Sequence, residues 1–425
     1  MNFLHLLPLV AALMSAPAGD TVSVSVPVEH QWLYESKSNS RLDVLLDANQ
    51  PGARVSVTVD LVTDLSLMSP VKDTVASVTK TFKAGKKQKK LSFNLGKLQP
   101  GFYQVNLSVK GAEAKYAPFR VFNIGVSPEQ IVSPQDKPED FDSFWASTLE
   151  ELAAVPMNAE LTVVPGHSNG LRTTYTVKMK SLGGATIGGI LCVPNKPGKY
   201  TTYIDYMGYG ANPDWYDPSA DPDAVEFRLS VRDQGIFKFK NRNWMHRGLD
   251  SKENFYYRGA FCDVIRAIDF VCRLEPVDTN YIFARGESQG GAFTLVSVSL
   301  DHRIKACAPA VPFLNDYPDY ARIVPWPLNG VKEQARKQGI SEEQLFDMLR
   351  YFDIKNFTDR IKCPVFMSFG LQDATCPPHT NFAGYNIITS DKHWYCSPLA
   401  GHNQWAEKEW HKARAEWFEP MEKQQ

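Results

Sequence analysis

Residues 285–291 read Arg-Gly-Glu-Ser-Gln-Gly-Gly and contain the pattern G-x-S-x-G around Ser288. A short apolar run at 281–284 precedes this motif, and a longer apolar run at 292–300 follows it. This order predicts a buried strand, a tight turn and a buried helix, the setting in which a serine hydroxyl is presented at the top of a sheet. The glycines allow the sharp turn, and the start of the helix places N–H groups near a developing negative charge. The pattern predicts Ser288 as a nucleophile; the alternative is a glycine-rich turn around an inert serine.

A nucleophilic serine needs a base, and the base needs an orienting carboxylate. In the α/β-hydrolase fold these residues follow the serine in the order acid, then histidine. Asp373 comes just after the apolar strand 362–370 and is the predicted acid; the alternative is an aspartate in a surface turn. His402 follows the short strand 394–397 and is the predicted base. His379, six residues from Asp373, is the competing assignment.

Acyl transfer also requires donors that stabilise the oxyanion. One predicted donor is the backbone N–H of Gln289, the residue after the nucleophile. The second is expected in the loop that follows an early strand, here 201–206, which assigns the backbone N–H of Tyr209. The alternative for Tyr209 is a simple aromatic turn.

The length of 425 residues, with 43% hydrophobic and 22% charged residues, predicts a globular protein of two domains. Residues 4–14 are mostly apolar and are followed by small residues, although no Lys or Arg precedes them. This segment is too short to cross a bilayer and resembles a secretory signal peptide over 1–18. We therefore expect a secreted or periplasmic protein.

The two domains differ in their hydrophobic patterns. Residues 20–126 alternate apolar and polar in short runs, which predicts an antiparallel, immunoglobulin-like β-sandwich. Residues 127–137 contain prolines and polar residues and are interpreted as a linker. From 138 to 425, apolar strands alternate with helical stretches. That alternation predicts a doubly wound, mostly parallel sheet with helices on both faces.

Charge and cysteine spacing exclude several other function classes. The net charge of −1 offers no field to attract nucleic acid. The seven cysteines are scattered without a C-x-x-C pair, so they do not form a zinc signature. The chain also lacks H-E-x-x-H, a Walker loop and the dinucleotide-binding glycine fingerprint. We expect no metal, no cofactor, no nucleic-acid partner and no membrane span.

From about residue 140 to 417 the chain resembles the acetyl xylan esterase / cephalosporin C deacetylase family (carbohydrate esterase family 7). The matching segments, in order, are 141–145, 183–189, 208–209, 257–259, 277–278, 286–291, 311–314, 370–373, 376–378, 385–386 and 401–402. The resemblance implies a serine esterase that removes acetyl groups from xylan, xylo-oligosaccharides or related small esters. It implies the same site residues, with Ser288, Asp373 and His402 as the triad and Tyr209 and Gln289 as oxyanion donors. It also implies a homo-oligomer, since family members assemble as hexamers.

Two motifs depart from the family pattern. Its Arg-Gly-Gln appears as Arg232-Asp233-Gln234, and its His-Glu pair appears as His402-Asn403. Neither departure removes a predicted triad residue. Two rival functions remain open: a serine peptidase of the prolyl oligopeptidase type, and a non-catalytic glycan-binding protein on a hydrolase fold.

Overall fold

The computed structural model describes residues 21–422, except positions 50, 51, 53, 86 and 238–242. The predicted signal segment 1–18 lies outside the described residues. Before residue 127 the chain forms two sheets, with strand orders β6-β3-β1-β8 and β2-β9-β7-β4-β5. The strands are β1 (Thr21–Ser25), β2 (Leu33–Tyr34), β3 (Asn39–Ala48), β4 (Arg54–Thr63), β5 (Thr74–Lys83), β6 (Lys89–Lys97), β7 (Gly101–Lys110), β8 (Glu113–Ala117) and β9 (Val121–Val126).

The two sheets share one apolar core. In β4, Val55, Val57 and Val59 are completely buried while the residues between them are partly exposed. In β3 of the other sheet, Leu42 and Val44 are equally buried and belong to the same cluster. Side chains alternate between the two faces of a strand, so the period-2 pattern of the sequence buries one face of each sheet against the other.

The sandwich is not entirely antiparallel, in contrast to the prediction. β1 pairs in parallel with β8, and β2 pairs in parallel with β9. The cause is a break in the first strand: Pro27 is followed by His30, Gln31 and Trp32, whose φ angles are 51°, 55° and 57°. The chain therefore leaves the first sheet after β1 and joins the edge of the second sheet as β2.

After residue 127 the chain forms a nine-stranded sheet of order β10-β11-β12-β14-β13-β15-β16-β17-β18. Along this order, the first three strand pairs, from β10-β11 to β12-β14, are antiparallel. The remaining pairs, from β14-β13 to β17-β18, are parallel. The strands are β10 (Glu160–Val163), β11 (Arg172–Lys180), β12 (Thr186–Pro194), β13 (Tyr200–Tyr206), β14 (Ala224–Ser230), β15 (Val277–Glu287), β16 (Ala306–Ala310), β17 (Val365–Gly370) and β18 (Lys392–Ser397). The helices are α1 (Phe141–Ala153), α2 (Tyr256–Val271), α3 (Gln289–Leu300), α4 (Tyr317–Ile323), α5 (Leu328–Lys337), α6 (Glu342–Leu349), α7 (Pro378–Tyr385) and α8 (Lys408–Phe418).

Helices cover both faces of this sheet. Tyr203 of β13 packs against Phe418 of α8, with ring centroids 5.8 Å apart. The next residue, Ile204, points to the other face and pairs with Phe227 of β14, which packs against Phe270 of α2 at 5.0 Å. The parallel strands are thus buried on both sides, which explains why they are nearly continuous apolar runs in the sequence. Among the described residues, no helix has the length and apolar character needed to cross a membrane.

Candidate active site

Ser288 lies at the turn between β15 and α3. Its backbone takes φ 57° and ψ −118°, a conformation that costs a non-glycine residue about 1–3 kcal/mol. The turn holds because its flanking glycines leave room for close backbone approach. A Cβ atom on Gly290 would lie 1.9 Å from the carbonyl oxygen of Tyr206, and one on Gly286 would lie 2.5 Å from the same oxygen. The Ser288 N–H donates to the Ala310 carbonyl at 3.0 Å, which ties the turn to β16.

The structure brings Ser288, His402 and Asp373 together in one chain of hydrogen bonds. His402 Nε2 lies 3.1 Å from Ser288 Oγ, and His402 Nδ1 lies 2.9 Å from Asp373 Oδ2. The second oxygen of Asp373 accepts the backbone N–H groups of Thr375 and Cys376 at 2.7 and 2.9 Å. Asp373 is fully buried, whereas the His402 side chain is 30% exposed. The carboxylate is therefore held by three atoms of its surroundings, while the imidazole lines an open cavity.

His379, the competing histidine, lies elsewhere. It sits on α7, is 5% exposed, and its Nδ1 is 3.0 Å from Asp64 Oδ2 in the β-sandwich. Its Nε2 faces Asp319 at 3.9 Å. Burial alone would lower the pKa of His379, but the charge and hydrogen bond of Asp64 outweigh burial and raise it. His379 is buried at the contact with the sandwich, and its partner is Asp64 rather than Asp373.

The two predicted oxyanion residues flank the serine. Gln289 is the first residue of α3, and Tyr209 lies in the loop after β13. A Cβ atom on the neighbouring Gly208 would lie 3.9 Å from Ser288 Cβ, so this loop passes beside the nucleophilic turn. Trp244 holds Tyr209 in place, since its ring packs edge-on at 4.7 Å and its backbone N–H donates to the Tyr209 hydroxyl at 3.1 Å.

Gln234 joins the two oxyanion segments, a role that sequence reasoning missed. Its Oε1 accepts the Gly210 N–H at 3.0 Å and the Gln289 side-chain amide at 3.1 Å. Tyr257 donates to the same Gln289 side chain at 2.9 Å. Gln234 belongs to the motif at 232–234 and Tyr257 to the matching segment 257–259, so the family resemblance was the sequence signal that could have identified them. Asp233 stands where the family motif has glycine, and it adopts a positive φ of 61°. Its side chain pairs with Arg247, whose Nη1 lies 2.6 Å from Asp233 Oδ2.

A cavity of about 560 Å³ opens beside Ser288 and His402. Glu287, the residue before the nucleophile, lines it. Burial and, to a smaller extent, the charge of Asp205 raise the pKa of Glu287 to about 7. No group of three or more potential metal ligands occurs in the part of the chain that the structure describes.

Comparisons with known proteins agree on one family. The family model for acetyl xylan esterase (AXE1) matches residues 129–419. The chain is similar to the acetyl esterase Axe7A of Xylanibacter ruminicola, with 26% identity over 427 residues, covering 95% of this chain and 91% of that one.

Two solved structures resemble about two thirds of the chain or more. One is an acetyl xylan esterase from Paenibacillus sp. R4, with TM-score 0.64, 28% identity, and coverage of 70% of this chain and 98% of that one. The other is acetyl xylan esterase 1 from Thermoanaerobacterium sp. JW/SL YS485, with TM-score 0.61, 28% identity, and coverage of 68% and 96%. Their mixed-sheet α/β-hydrolase fold and the extent of the family match lead to one conclusion: the chain belongs to the acetyl xylan esterase family.

Proposed function

We propose that this protein is a serine esterase that removes acetyl groups from carbohydrate, such as xylan or xylo-oligosaccharides. The observation that carries the proposal is the hydrogen-bond chain from Ser288 through His402 to Asp373, with distances of 3.1 and 2.9 Å, at the edge of an open cavity. The family match and the named relatives support the acetyl ester as the bond that is cleaved.

The proposed reaction has two steps. His402 takes the proton of Ser288 while the serine oxygen attacks the acetyl carbonyl, and the backbone N–H groups of Gln289 and Tyr209 stabilise the oxyanion. His402 then returns the proton to the leaving sugar hydroxyl, which breaks the ester and leaves an acetyl-serine. In the second step His402 activates a water that hydrolyses this intermediate. Asp373 holds the imidazole in the tautomer that leaves Nε2 free to accept.

Labelling with a fluorophosphonate probe tests the nucleophile directly. We expect the wild-type protein to be labelled and Ser288→Ala to be unlabelled, with the exposed serine variant Ser219→Ala as the matched control. Wild-type protein that resists labelling would favour the non-catalytic glycan-binding alternative. A panel of acetyl esters and aminoacyl amides then separates an esterase from a peptidase of the prolyl oligopeptidase type, since an amidase would cleave the amides with comparable efficiency.

We also propose how the chain is organised and where it acts. Residues 20–126 would form an immunoglobulin-like sandwich domain, 127–137 a linker and 138–425 the esterase domain, with 1–18 removed on export to the periplasm or medium. The two sheets before residue 127 and the apolar N-terminal run support this division. Sequencing the N-terminus of protein recovered from each compartment tests the export, and light scattering tests whether the chain forms a homo-oligomer.

A further inference from the structure

The cavity beside Ser288 runs between the sheet and α8. Its volume of about 560 Å³ lies within the range of about 300–1,000 Å³ that is typical of small-molecule sites. An acetyl group needs only the end next to Ser288 and His402. Most of the cavity is therefore available to the alcohol part of the ester.

The floor of this cavity is a row of charges that already satisfy one another. Asp205 of β13 pairs in register with Arg228 of β14 and with Arg285 of β15, so the three side chains lie side by side. Arg285 Nε donates to Asp205 Oδ1 at 2.5 Å, and the Tyr216 hydroxyl donates to Asp205 Oδ2 at 2.5 Å. Because these side chains already bond to one another, they form a rigid wall of the cavity and are not the groups that bind the ligand.

Two side chains above this floor retain hydrogen-bonding capacity. Among the described residues, the Glu287 carboxyl, which lines the cavity, has no cation within 4.0 Å. Arg414 of α8 contacts His411 Nδ1 at 3.2 Å and has no carboxylate within 4.0 Å in the same part of the chain. Burial and the positive charge of Arg285 lower the pKa of Arg414 to about 10. The cavity thus presents a carboxyl without a cationic partner and a guanidinium without a carboxylate partner, each within 4.0 Å.

The chemistry of these two groups selects a class of ligand. A hydroxyl group accepts a hydrogen bond from a guanidinium and donates one to a carboxylate, so a ring with several hydroxyls can satisfy both residues. A ligand with a single charge would lie near a like charge at one of these two residues. A neutral polyol satisfies both residues without placing a like charge beside either of them.

Two tryptophans at the same cavity fit a ring with apolar faces. Trp326 is 48% exposed and Trp405 is 39% exposed, although large aromatic side chains are usually buried. Trp326 is backed by Phe313, which stacks on it at 5.5 Å and 20°. A pyranose ring presents C–H groups on its faces and hydroxyls on its edge, so its faces can pack on such rings.

We propose that this cavity binds the pyranose ring that carries the acetyl group, with Glu287 and Arg414 as the side chains that bind its free hydroxyls. The inference rests on the proposed esterase function and assigns the substrate class to named residues. These residues distinguish a sugar ester from an acetyl ester whose alcohol has no hydroxyl groups.

The test compares two esters with the same acyl group, 4-nitrophenyl acetate and a mono-acetylated methyl xyloside. The variants are Arg414→Met, which keeps the apolar stem, and Glu287→Gln, which keeps the shape. The matched control is Lys412→Met on the same helix, whose side chain is 77% exposed and pairs with Glu416. For both cavity variants we expect the ratio of kcat/KM, sugar ester over aryl acetate, to fall about tenfold or more. For the control we expect no change in this ratio.

A ratio that stays constant in both variants would overturn the proposal, as would an equal fall in Lys412→Met. A second measurement does not depend on turnover: calorimetry of xylobiose binding to Ser288→Ala, with and without Arg414→Met, should show binding that the second substitution weakens. Equal affinity would also overturn the proposal, and thermal melting checks that each variant is folded. If the wild type hydrolyses neither ester, the proposed function fails and the subsite with it; if it hydrolyses both with an unaltered ratio in the variants, only the subsite fails.

Discussion

His402 and His379 each have an aspartate on Nδ1, yet they lie in different surroundings. His402 Nδ1 is 2.9 Å from Asp373, and His379 Nδ1 is 3.0 Å from Asp64. The side chain of His402 is 30% exposed at a cavity, whereas that of His379 is 6% exposed beneath the sandwich. The second nitrogen differs most, since Nε2 of His402 meets the Ser288 hydroxyl and Nε2 of His379 faces the Asp319 carboxylate at 3.9 Å.

The comparison shows that a histidine–aspartate pair is not by itself a catalytic unit. A general base must exchange its proton with a reacting group, which requires a free nitrogen within reach of that group. His379 has carboxylates near both nitrogens, which raise its pKa, and neither nitrogen lies beside the Ser288 hydroxyl. The same two side chains therefore serve a different purpose according to what surrounds the imidazole.

The sandwich also contacts the acid loop through Asn123. Asn123 of β9 donates its backbone N–H to Gln372 Oε1 at 2.7 Å, and its side-chain amide donates to the Leu371 carbonyl at 3.1 Å. Gln372 precedes Asp373, and its own amide donates to the Pro398 carbonyl at 2.8 Å, near the His402 loop. The sandwich is thus bonded to the segment that carries the candidate acid.

The largest difference between the two histidines is expected in the rate of ester hydrolysis. Ser288→Ala and His402→Ala should each lower kcat by on the order of 10³-fold or more, and the double variant should lose little beyond either. His379→Ala is the matched control and should retain most of its activity per folded molecule. Steady-state kinetics with a small acetyl ester makes the comparison. An inactive His379→Ala beside a nearly normal His402→Ala would reverse the assignment of the base.

A smaller loss is expected when the carboxylate of the catalytic pair is neutralised. Asp373→Asn leaves the geometry of the loop but no longer favours the imidazolium or the required tautomer. Its loss in kcat should be roughly 10–100-fold smaller than that of Ser288→Ala. The equivalent change in the other pair, Asp64→Asn, should leave kcat close to the wild-type value. Equal losses in kcat from both substitutions would remove the distinction between the pairs.

For stability, unlike for kcat, a large effect is expected from Asp64→Asn. Asp64→Asn leaves the buried His379 without its main counter-charge, and breaking a buried pair typically costs about 3–5 kcal/mol. The exposed aspartate variant Asp47→Asn in the same sandwich should change the free energy of unfolding by no more than about 0.5 kcal/mol. Denaturant titration compares the two. A loss of stability in Asp64→Asn as small as that of the control would show that the His379–Asp64 pair does not stabilise the contact between α7 and the sandwich.

The loss of stability caused by Asp64→Asn should decrease as the pH rises. The pKa of His379 is raised in the folded protein, so its protonation stabilises the fold fully below the unfolded pKa of about 6.5, and this contribution is lost as pH rises through the folded value. Asp64, Asp319 and Asp316 all raise it. The stability difference between wild type and Asp64→Asn should therefore be larger near pH 6 than near pH 9. A difference that grows with pH would contradict the charged state of His379.

The smallest effect is expected at the hydrogen bonds between the sandwich and the acid loop. Asn123→Ala removes the side-chain bond to Leu371 and leaves the backbone bond to Gln372, so we expect a loss of about 1 kcal/mol in stability. Looser positioning of Asp373 should lower kcat by less than tenfold with KM unchanged. The exposed Asn39→Ala is the control. A fall in kcat equal to that of Asp373→Asn would instead show that the sandwich holds the catalytic geometry.

Much of the architecture could be predicted from the sequence because its signals are local. Glycines around Ser288, with apolar runs on either side, specify a strand, a turn and a helix within about twenty residues, and the structure has β15 and α3 there. The alternation of apolar residues in β4 likewise predicts a strand with one buried face. The positions of Asp373 and His402 after successive strands follow from the order in which the parallel sheet presents its ends.

Only the tertiary structure determines the contacts between distant segments. The sequence left His379 and His402 as alternatives, because the partner of His379, Asp64, lies 315 positions away in another sheet. The bond between Asn123 and Gln372 spans 249 positions, and no local pattern marks it. The cavity wall formed by Arg414 exists only because α8 packs on the face of the sheet that carries Asp205 and Arg285. Periodicity and turns specify each element, but which side chains meet depends on how the completed elements pack together.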